Sequence, residues 1–196
     1  MIRFFDIILS LIGLILLSPV FIFIAFWIIV DSPGGILYKQ FRVGKNNHDF
    51  ILYKFRTMAE GSDKKGLLTV GNNDMRITKA GKFLRKYKFD ELPQLFNVLI
   101  GNMSFVGPRP EVRKYVNLYN AEQMDVLSVK PGITDFASIE FSNENEILSK
   151  SENPEKTYVE EILPLKLNLN LKYIKNQNLI NYFKVIILTL RKISNP

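Results

Sequence analysis

The N-terminal part of the chain carries a long run of apolar residues. No charged residue lies between Asp6 and Asp31, and isoleucine, leucine, phenylalanine and valine dominate positions 7–30. A helix needs roughly 20 apolar residues to cross the hydrocarbon core of a bilayer. A cleaved signal peptide fits poorly, because the run is too long and no small-residue cleavage site follows it. The pattern therefore predicts a membrane-inserted helix over residues 1–31.

A Ser-Pro pair interrupts this apolar run near its middle. Pro19 removes an i→i−4 hydrogen bond, which is expected to kink the helix. The Ser18 hydroxyl can donate to the carbonyl that the proline frees. A kinked helix either crosses the bilayer once or turns back as a re-entrant helix, and the pattern alone leaves both open. In either case the basic residues that follow predict that the rest of the chain lies on the cytoplasmic side.

Short strand and helix patterns follow the apolar run. A turn at 32–35 marks a boundary, and apolar alternation over 36–42 and 49–57 predicts a hairpin that turns at 44–47. Residues 59–73 are polar and punctuated by glycine, which indicates a surface loop. Thr78 is placed to cap a helix over 79–88. The apolar face predicted for that helix consists of Ala80, Phe83, Leu84 and Tyr87.

Further helices are predicted in the C-terminal half. One begins with Asp90 as its N-cap and ends at Gly101, with a predicted buried stripe of Leu92, Leu95, Phe96 and Leu99. Helical patterning also covers 112–129 and two or three segments after Pro154. The last, at 179–193, is amphipathic and could dock on the core or lie in the membrane interface as an interfacial helix; its apolar face consists of Leu179, Phe183, Ile186, Ile187 and Leu190. The expected class is mainly α with a small β element (α+β).

The amino-acid composition limits which side chains could react or bind a metal. The chain carries 26 Lys and Arg against 19 Asp and Glu, a net charge of +7, which suits anionic lipids, phosphorylated small molecules or nucleic acid. It has no cysteine, which excludes disulfides, zinc–thiolate sites and a thiol nucleophile. His48 is the only histidine, so a histidine-rich metal centre is excluded and a Ser-His-Asp triad is disfavoured. Carboxylates, lysines and tyrosines remain as candidate reacting groups.

The adjacent carboxylates Asp90 and Glu91, followed by Leu92 and Pro93, have two interpretations. One is a helix start, since Asp caps helices, Glu suits the first turn and Pro is tolerated there. The other is a reactive pair at a helix N-terminus that binds phosphate, with one carboxylate as nucleophile and the other as ligand of a divalent cation. Oxygen ligands favour Mg²⁺ or Mn²⁺. Four cations are candidate phosphate clamps: Lys54, Arg56, Arg85 and Arg109, the last held between prolines.

Three longer strings resemble one known family. They are YKFRTM at 53–58, FDELPQLFNVLIGNMSFVGPRPE at 89–111 and KPGIT at 130–134. They resemble the bacterial sugar transferases, the monotopic phosphoglycosyl transferases, and the likeness extends over about residues 2–192. Within that family the chain resembles the small members that consist of the catalytic domain alone.

The resemblance implies transfer of a sugar-1-phosphate from a UDP-sugar to polyprenyl (undecaprenyl) phosphate, with release of UMP. It implies a ping-pong route through a phosphosugar on Asp90, with Mg²⁺ as cofactor and Glu91 as its ligand. It also implies that Ser18-Pro19 breaks a re-entrant helix, so that 1–31 is a membrane hairpin continuous with a cytoplasmic catalytic domain at 32–196. The expected location is the inner face of the bacterial cytoplasmic membrane. The basic residues of the matching motifs are Lys54, Arg56 and Arg109.

The chain departs from the family pattern at three positions. Asn102 and Asn170 stand where acidic residues are common, and Asp135 follows the KPGIT string where glycine is common. These departures leave a second metal ligand and the sugar contacts unassigned.

Two other hypotheses compete with the transferase interpretation. The chain could be a membrane-anchored basic adaptor for anionic lipid or nucleic acid, or the carboxylates could act as general base for direct attack by the lipid phosphate. Nucleic acid is not an expected partner under the enzyme hypothesis, and the oligomeric state is not readable.

Overall fold

The computed structural model describes residues 1–62 and 74–194. In these ranges the protein is mainly helical, with two small sheets of two strands each. The helices are α1 (Ile2–Leu16), α2 (Ser18–Asp31), α3 (Lys79–Lys86), α4 (Gln94–Ile100), α5 (Arg113–Val116), α6 (Phe136–Glu140), α7 (Glu144–Ser149), α8 (Pro154–Thr157), α9 (Leu163–Lys175) and α10 (Leu179–Ser194). The strands are β1 (Leu37–Val43), β2 (Asp49–Phe55), β3 (Ser104–Val106) and β4 (Gly132–Thr134). The predicted α+β class is confirmed.

The apolar N-terminal segment forms two helices, and the axis of the second is bent by 60° from that of the first. Pro19 lies in the first turn of α2, and the Ser18 hydroxyl donates to the carbonyl of Ile15 at 2.8 Å. This carbonyl is the one that an amide at position 19 would have bonded, so the expected kink and its serine partner are both present. Among the described helices none is long and apolar enough to cross a bilayer alone, whereas α1 and α2 together have sufficient length and composition.

Each arm of this bent pair packs on a different helix of the remaining chain. Gly13 of α1 faces Leu95 of α4, and Arg3 donates to the carbonyls of Val98 and Leu99 at the end of α4. On the other arm, Ile24 and Ile28 of α2 form a core cluster with Phe55 of β2 and Leu84 of α3. The bent pair is therefore joined to the rest of the protein through buried contacts on both arms.

Asp6 is a buried connection between the two ends of the chain. Its Oδ1 accepts hydrogen bonds from the Ser104 hydroxyl at 2.9 Å, the Phe105 amide at 3.1 Å and the Tyr182 hydroxyl at 2.9 Å. A buried carboxylate is stable only when such donors replace its water. Asp6 consequently ties α1 to both β3 and α10.

The predicted hairpin is confirmed. Strands β1 and β2 pair antiparallel from Leu37 opposite Phe55 to Val43 opposite Asp49, and a 3₁₀ turn joins them. The second sheet is a parallel pair, Ser104 opposite Gly132 and Val106 opposite Thr134, which the periodicity did not indicate. Thr78 caps α3 as expected by accepting from the Gly81 amide at 2.9 Å. The predicted loop at 59–73 lies outside the described residues beyond position 62.

Several predicted faces are wrong in detail. Phe83 of α3, Tyr87 directly after it and Phe96 of α4 are exposed, and α4 buries the predicted Leu95 together with Gln94, Asn97 and Val98. Helix α10, for which docking on the core and lying in the membrane interface were both open, packs on the core through Tyr182 and Val185; Phe183 and Ile186 of its apolar face are partly buried beside them, and Ile187 and Leu190 are exposed. The helix predicted over 112–129 is only the short α5 followed by a 3₁₀ segment at Gln123–Ser128. Asn120 and Gln123 bond each other's backbone amides through their side chains, which starts a new turn there.

Large apolar side chains remain exposed along α1 and α2. Soluble monomers rarely leave an apolar surface of this extent uncovered. A segment that inserts in a membrane, in contrast, requires such a surface. The exposed residues include Leu11, Ile12, Ile15, Leu16, Ile22, Phe23, Phe26, Ile29 and Val30.

Candidate active site

Asp90 and Glu91 lie in a tight turn between α3 and α4. Lys88 adopts a left-handed backbone conformation with φ of 59°, and a 3₁₀ turn at Phe89–Glu91 follows it. A positive φ is uncommon for a residue with a side chain and marks a backbone that its surroundings hold in place. Because α2 packs on α3 and α1 packs on α4, this turn lies between the two helices that the bent N-terminal pair supports.

The expectation that Asp90 caps a helix is wrong. The helix α4 begins at Gln94, its N-terminal neighbour is Pro93, and no side chain caps it. A proline supplies no amide and the preceding 3₁₀ turn has its own hydrogen bonds, so the helix starts later than the pattern suggested. The Asp90 side chain is thereby not used for capping.

The Glu91 carboxylate is held by two cations from distant parts of the chain. Lys54 of β2 donates to Glu91 Oε1 at 2.8 Å, and Arg109 donates to the same oxygen at 2.5 Å and to Oε2 at 3.4 Å. Although burial alone would raise the pKa of Glu91, Arg109 and Lys54 hold that pKa well below its ordinary value. Glu91 is therefore ionised, and it gathers both cations beside Asp90.

Asp90 lies in a contrasting environment. It is 8% exposed, and its Oδ1 is buried with no hydrogen-bond partner among the residues that the structure describes. Burial and, second, the charge of Glu91 raise the pKa of Asp90, while Lys54, Arg85 and Lys88 oppose the rise. Two neighbouring carboxylates with pKa values pushed apart are typical of reactive sites, because each group can then take a different role.

Arg85 is a further cation near Asp90. Its Nε donates to the Thr57 hydroxyl at 2.9 Å, which orients the guanidinium. Burial lowers the pKa of Arg85, and the charge of Asp90 is the largest effect that raises it. Gly81 allows this arrangement, since a Cβ there would lie 2.0 Å from the Thr57 carbonyl oxygen. Thr57 was not predicted as a site residue, because a single threonine after a strand carries no pattern.

Arg56 makes a different set of contacts from the other three predicted clamps. Its guanidinium donates to the carbonyls of Gly35 at 2.6 Å, Pro33 at 2.7 Å and Ser32 at 2.8 Å. These bonds hold the chain where it leaves α2. The structure thus brings Lys54, Arg85 and Arg109 to the carboxylate pair and uses Arg56 to fix the adjoining turn.

The Pro-Arg-Pro turn that presents Arg109 is held by its backbone. Gly107 and Gly132 are in close contact, since a Cβ on Gly132 would lie 2.1 Å from the Gly107 nitrogen. The Gly132 amide donates to the Pro108 carbonyl at 3.0 Å, and the Asp135 carboxylate accepts from the Arg109 amide at 3.1 Å. The motifs at 107–110 and 130–134 therefore form one unit, and Asp135, whose role was unassigned, fixes Arg109.

Asn97 is a second contributor that the pattern did not single out. Its side chain accepts from the Tyr53 amide at 3.0 Å and donates to the Ile51 carbonyl at 2.7 Å. These two bonds attach α4 to the free edge of β2, next to Lys54. Asn97 is fully buried among apolar residues of α4. This burial indicates a structural role, because a buried side-chain amide needs hydrogen-bond partners.

The two other departures from the family pattern occupy different places. Asn102 is exposed in the turn after α4 and lies outside the carboxylate cluster. Asn170 of α9 is buried, and its Oδ1 has no hydrogen-bond partner among the described residues. Together with Lys166 and Arg109 it lines a small cavity behind the Pro-Arg-Pro turn.

The carboxylates of Asp90 and Glu91 are compatible with a divalent cation that takes most of its ligands from water and substrate. Within residues 1–62 and 74–194 no cluster of three or more acidic or histidine side chains could hold a metal on its own. Mg²⁺ commonly binds through one or two carboxylates plus water and substrate phosphate. Glu91 and the unpartnered Oδ1 of Asp90 supply oxygens of this kind.

Comparison with known proteins identifies relatives over the whole chain. The family described as bacterial sugar transferase matches residues 1–196. A UDP-N-acetylgalactosamine-undecaprenyl-phosphate N-acetylgalactosaminephosphotransferase of Aeromonas hydrophila is 44% identical over 140 residues, which cover 70% of this chain and 33% of the relative. A UDP-glucose:undecaprenyl-phosphate glucose-1-phosphate transferase of Klebsiella pneumoniae is 36% identical, over 97% of this chain and 39% of the relative.

A third relative is closer in length. The uncharacterized sugar transferase EpsL of Bacillus subtilis is 36% identical over 191 residues, which cover 97% of this chain and 86% of that protein. The chain thus spans about a third to two fifths of the first two relatives and most of EpsL.

The environment of Asp90 makes a testable pH prediction. Because burial and then Glu91 raise its pKa, Asp90 should bind a proton at a pH above its ordinary value of 3.8. The folded protein then binds this proton more tightly than the unfolded chain, so ionising Asp90 reduces stability as pH rises. Carboxyl ¹³C NMR of aspartate-labelled protein, compared with Asp90→Asn, measures the titration.

The matched variant for this titration is Glu91→Gln. It removes the neighbouring negative charge and leaves Lys54 and Arg109 unneutralised, so it should lower the pKa of Asp90. An Asp90 resonance that titrates at or below the ordinary value in the unaltered protein would show that the described electrostatics are wrong.

Proposed function

We propose that this chain, which belongs to the bacterial sugar transferase family, transfers a sugar-1-phosphate from a UDP-sugar to undecaprenyl phosphate and releases UMP. The relatives named above support the reaction, since two of them are named as transferases of sugar phosphate to undecaprenyl phosphate. The observation that carries the proposal is the buried Asp90 Oδ1, which has no hydrogen-bond partner within residues 1–62 and 74–194 and lies beside a Glu91 that holds two cations.

In the first step the Asp90 carboxylate attacks the phosphorus that bears the sugar. A bond forms between the carboxylate oxygen and this phosphorus, and the phosphoanhydride bond to UMP breaks, so that UMP leaves with the bridging oxygen. In the second step an oxygen of undecaprenyl phosphate attacks the same phosphorus. The acyl–phosphate bond breaks, which restores the Asp90 carboxylate and yields the lipid diphosphate sugar.

The neighbouring side chains favour these steps by electrostatics. Lys54 and Arg109 are positioned by Glu91, and Arg85 is positioned by Thr57, so three cations surround the place where phosphate charge develops. Their geometry is set before substrate binds, which reduces the reorganisation needed during the reaction. Arg109 can grip phosphate with two nitrogens when it exchanges part of its bond to Glu91.

Glu91, with Asp90 beside it, is the carboxylate that would hold Mg²⁺. Bound there with the diphosphate, Mg²⁺ would neutralise negative charge on the leaving UMP. The pairing of Glu91 with Lys54 and Arg109 keeps this carboxylate ionised, which any metal ligand must be.

We place the enzyme at the cytoplasmic face of the bacterial inner membrane, with α1 and α2 as a re-entrant hairpin and 32–196 as the catalytic domain. The 60° bend and the exposed apolar side chains along both helices support this placement. A membrane-anchored basic adaptor would also explain the charge and the apolar helices. It would not explain why Glu91 binds two partly buried cations beside Asp90, whose Oδ1 has no hydrogen-bond partner among the described residues.

The nucleophile assignment predicts the result of replacing Asp90. In the absence of lipid acceptor, the unaltered protein should release up to one UMP per active site from its UDP-sugar. Asp90→Asn should reduce this release by at least about 10³-fold, because the amide is not a nucleophile of comparable strength. Rapid-quench detection of UMP, over a panel of UDP-sugars, makes the measurement.

Thermal unfolding and UMP binding of Asp90→Asn serve as controls for folding. If Asp90→Asn still releases UMP without acceptor, Asp90 is not the nucleophile. If the unaltered protein releases UMP only when undecaprenyl phosphate is present, direct attack by the lipid phosphate replaces the two-step route.

The membrane topology can be tested with single cysteines, because the natural chain contains none. For a re-entrant hairpin, Phe4→Cys and Lys39→Cys should both react with a membrane-impermeant maleimide in inverted vesicles and not in intact cells. Leu16→Cys, at the bend, is the matched control: it is 72% exposed in the protein alone and should stay unlabelled from both sides of the bilayer. Labelling of Phe4→Cys from the outside of intact cells would establish a single span instead.

A further inference from the structure

A row of aromatic side chains, four exposed and one (Trp27) half-buried, leads from the membrane hairpin to the reactive turn. The row consists of Phe23 and Trp27 of α2, Phe83 of α3, and Tyr87 and Phe89 beyond it; we call these five residues the aromatic ladder. Neighbouring ring centroids lie 6.1 Å apart for Phe23–Trp27, 5.3 Å for Trp27–Phe83 and 6.2 Å for Phe83–Phe89. Its last member directly precedes Asp90 in the chain.

Packing within the protein does not account for the ladder. Phe23, Phe83, Tyr87 and Phe89 are 63%, 42%, 45% and 36% exposed, although the same helix α3 buries Ala80 and Leu84 completely or nearly so. An uninterrupted exposed aromatic surface of this kind marks a site for an apolar partner. Because it starts on a membrane helix and ends at the reactive carboxylate, the partner must be apolar at one end and reactive at the other.

The distribution of charge along the ladder complements a phosphorylated lipid, which is uncharged along its chain and anionic at its headgroup. The α2 end carries no charged residue between Ser18 and Val30, whereas the Asp90 end is flanked by Arg85, Lys86 and Lys88. The Lys86 ammonium lies 5.4 Å from the centroid of the Tyr87 ring, and Arg85 and Lys88 both oppose the raised pKa of Asp90. An anionic headgroup is therefore favoured beside Asp90 and a hydrocarbon chain along the rings.

We propose that the aromatic ladder binds the isoprenoid chain of the lipid acceptor and delivers its phosphate to Asp90. This inference rests on the proposed function, whose acceptor is a polyprenyl phosphate. The unsaturated, methyl-branched chain would pack against the ring faces and edges, and the first isoprene units would lie against Phe89 and Phe83. The acceptor then approaches within the plane of the membrane, whereas the nucleotide sugar arrives from solvent.

Trp27 offers a direct binding measurement, since it is the only tryptophan in the chain and belongs to the ladder. Titrating undecaprenyl phosphate in detergent micelles should change the Trp27 emission saturably. Hexadecyl phosphate at the same mole fraction in the micelle should do so at least about tenfold more weakly, because it has the headgroup without the branched chain. An equal response to both lipids would overturn the isoprenoid assignment.

Two ladder variants extend the test. Phe83→Ala and Tyr87→Ala should each raise the apparent Kd for undecaprenyl phosphate about tenfold, which is the factor expected from losing one partly buried aromatic contact. Tyr87 is the more informative position, because its recorded ring contacts are to Phe83 and Phe89 and it should leave the baseline of Trp27 little changed. Steady-state kinetics should show the same rise in the KM for the lipid with a smaller change in the KM for the UDP-sugar.

Ile187→Ala is the matched control, since Ile187 is an apolar residue 51% exposed on α10, away from the ladder. It should leave lipid binding unchanged. If it weakens binding as much as Phe83→Ala, or if the ladder variants bind with unchanged Kd, the ladder is not the acceptor site. Because the fluorescence titration requires no turnover, it remains valid even if Asp90→Asn were to release UMP, which separates failure of this inference from failure of the proposed reaction.

Discussion

The shared ion pair of Glu91 with Lys54 and Arg109 determines the arrangement of this site. It connects the β1–β2 hairpin, the turn between α3 and α4, and the Pro-Arg-Pro turn, which are remote in the sequence. A buried carboxylate stays ionised only with partners of opposite charge, and buried cations have the same requirement. Losing Glu91 would leave both cations without this partner, whereas losing either cation would leave Glu91 paired with the other. The same interaction places the cations Lys54 and Arg109 near Asp90, whose own Oδ1 has no hydrogen-bond partner in the described chain.

The bent N-terminal pair provides the mechanical support for this cluster. Helices α1 and α2 diverge by 60° at the Ser18-Pro19 break, and each packs on one of the two helices that flank Phe89–Glu91. Arg56 fixes the exit of α2 through three backbone carbonyls, and Asp6 joins α1 to β3 and α10. An apolar segment that inserts in a membrane would consequently set the depth of the reactive turn directly. This coupling suits a reaction between a soluble nucleotide and a lipid.

Local patterns predicted the parts of the fold that depend on neighbouring residues. The proline kink, the Thr78 cap and the hairpin were all visible, because each arises from hydrogen bonds within a few residues. The pairing of β3 with β4 was not visible, since it joins residues 28 positions apart through strands of only three residues. Whether the apolar face of α10 packs on the core or lies in the membrane interface was left open, because an apolar side chain can serve either the protein core or a lipid, and periodicity does not separate these.

For the candidate site, the residues could be predicted from the sequence, but the contacts between them could not. The carboxylate pair and four cations stood out in the sequence, but their partners depend on tertiary contacts. Arg56 bonds backbone carbonyls, Arg85 is oriented by Thr57, and Asp135 holds the amide of Arg109. The N-cap interpretation of Asp90 failed for the same reason. A local pattern does not show whether a carboxylate folds back on its own backbone or lies in a buried cluster formed by other segments.

In the proposed two-step route, Asp90 becomes covalently attached to the sugar phosphate. Intact-protein mass spectrometry can detect this intermediate after the purified protein is mixed with its UDP-sugar and no lipid acceptor. We expect a single adduct with the mass of the sugar phosphate, located on the peptide containing Asp90, which disappears when undecaprenyl phosphate is added. Stoichiometric UMP release with an unmodified protein, or an adduct on a different residue, would contradict it.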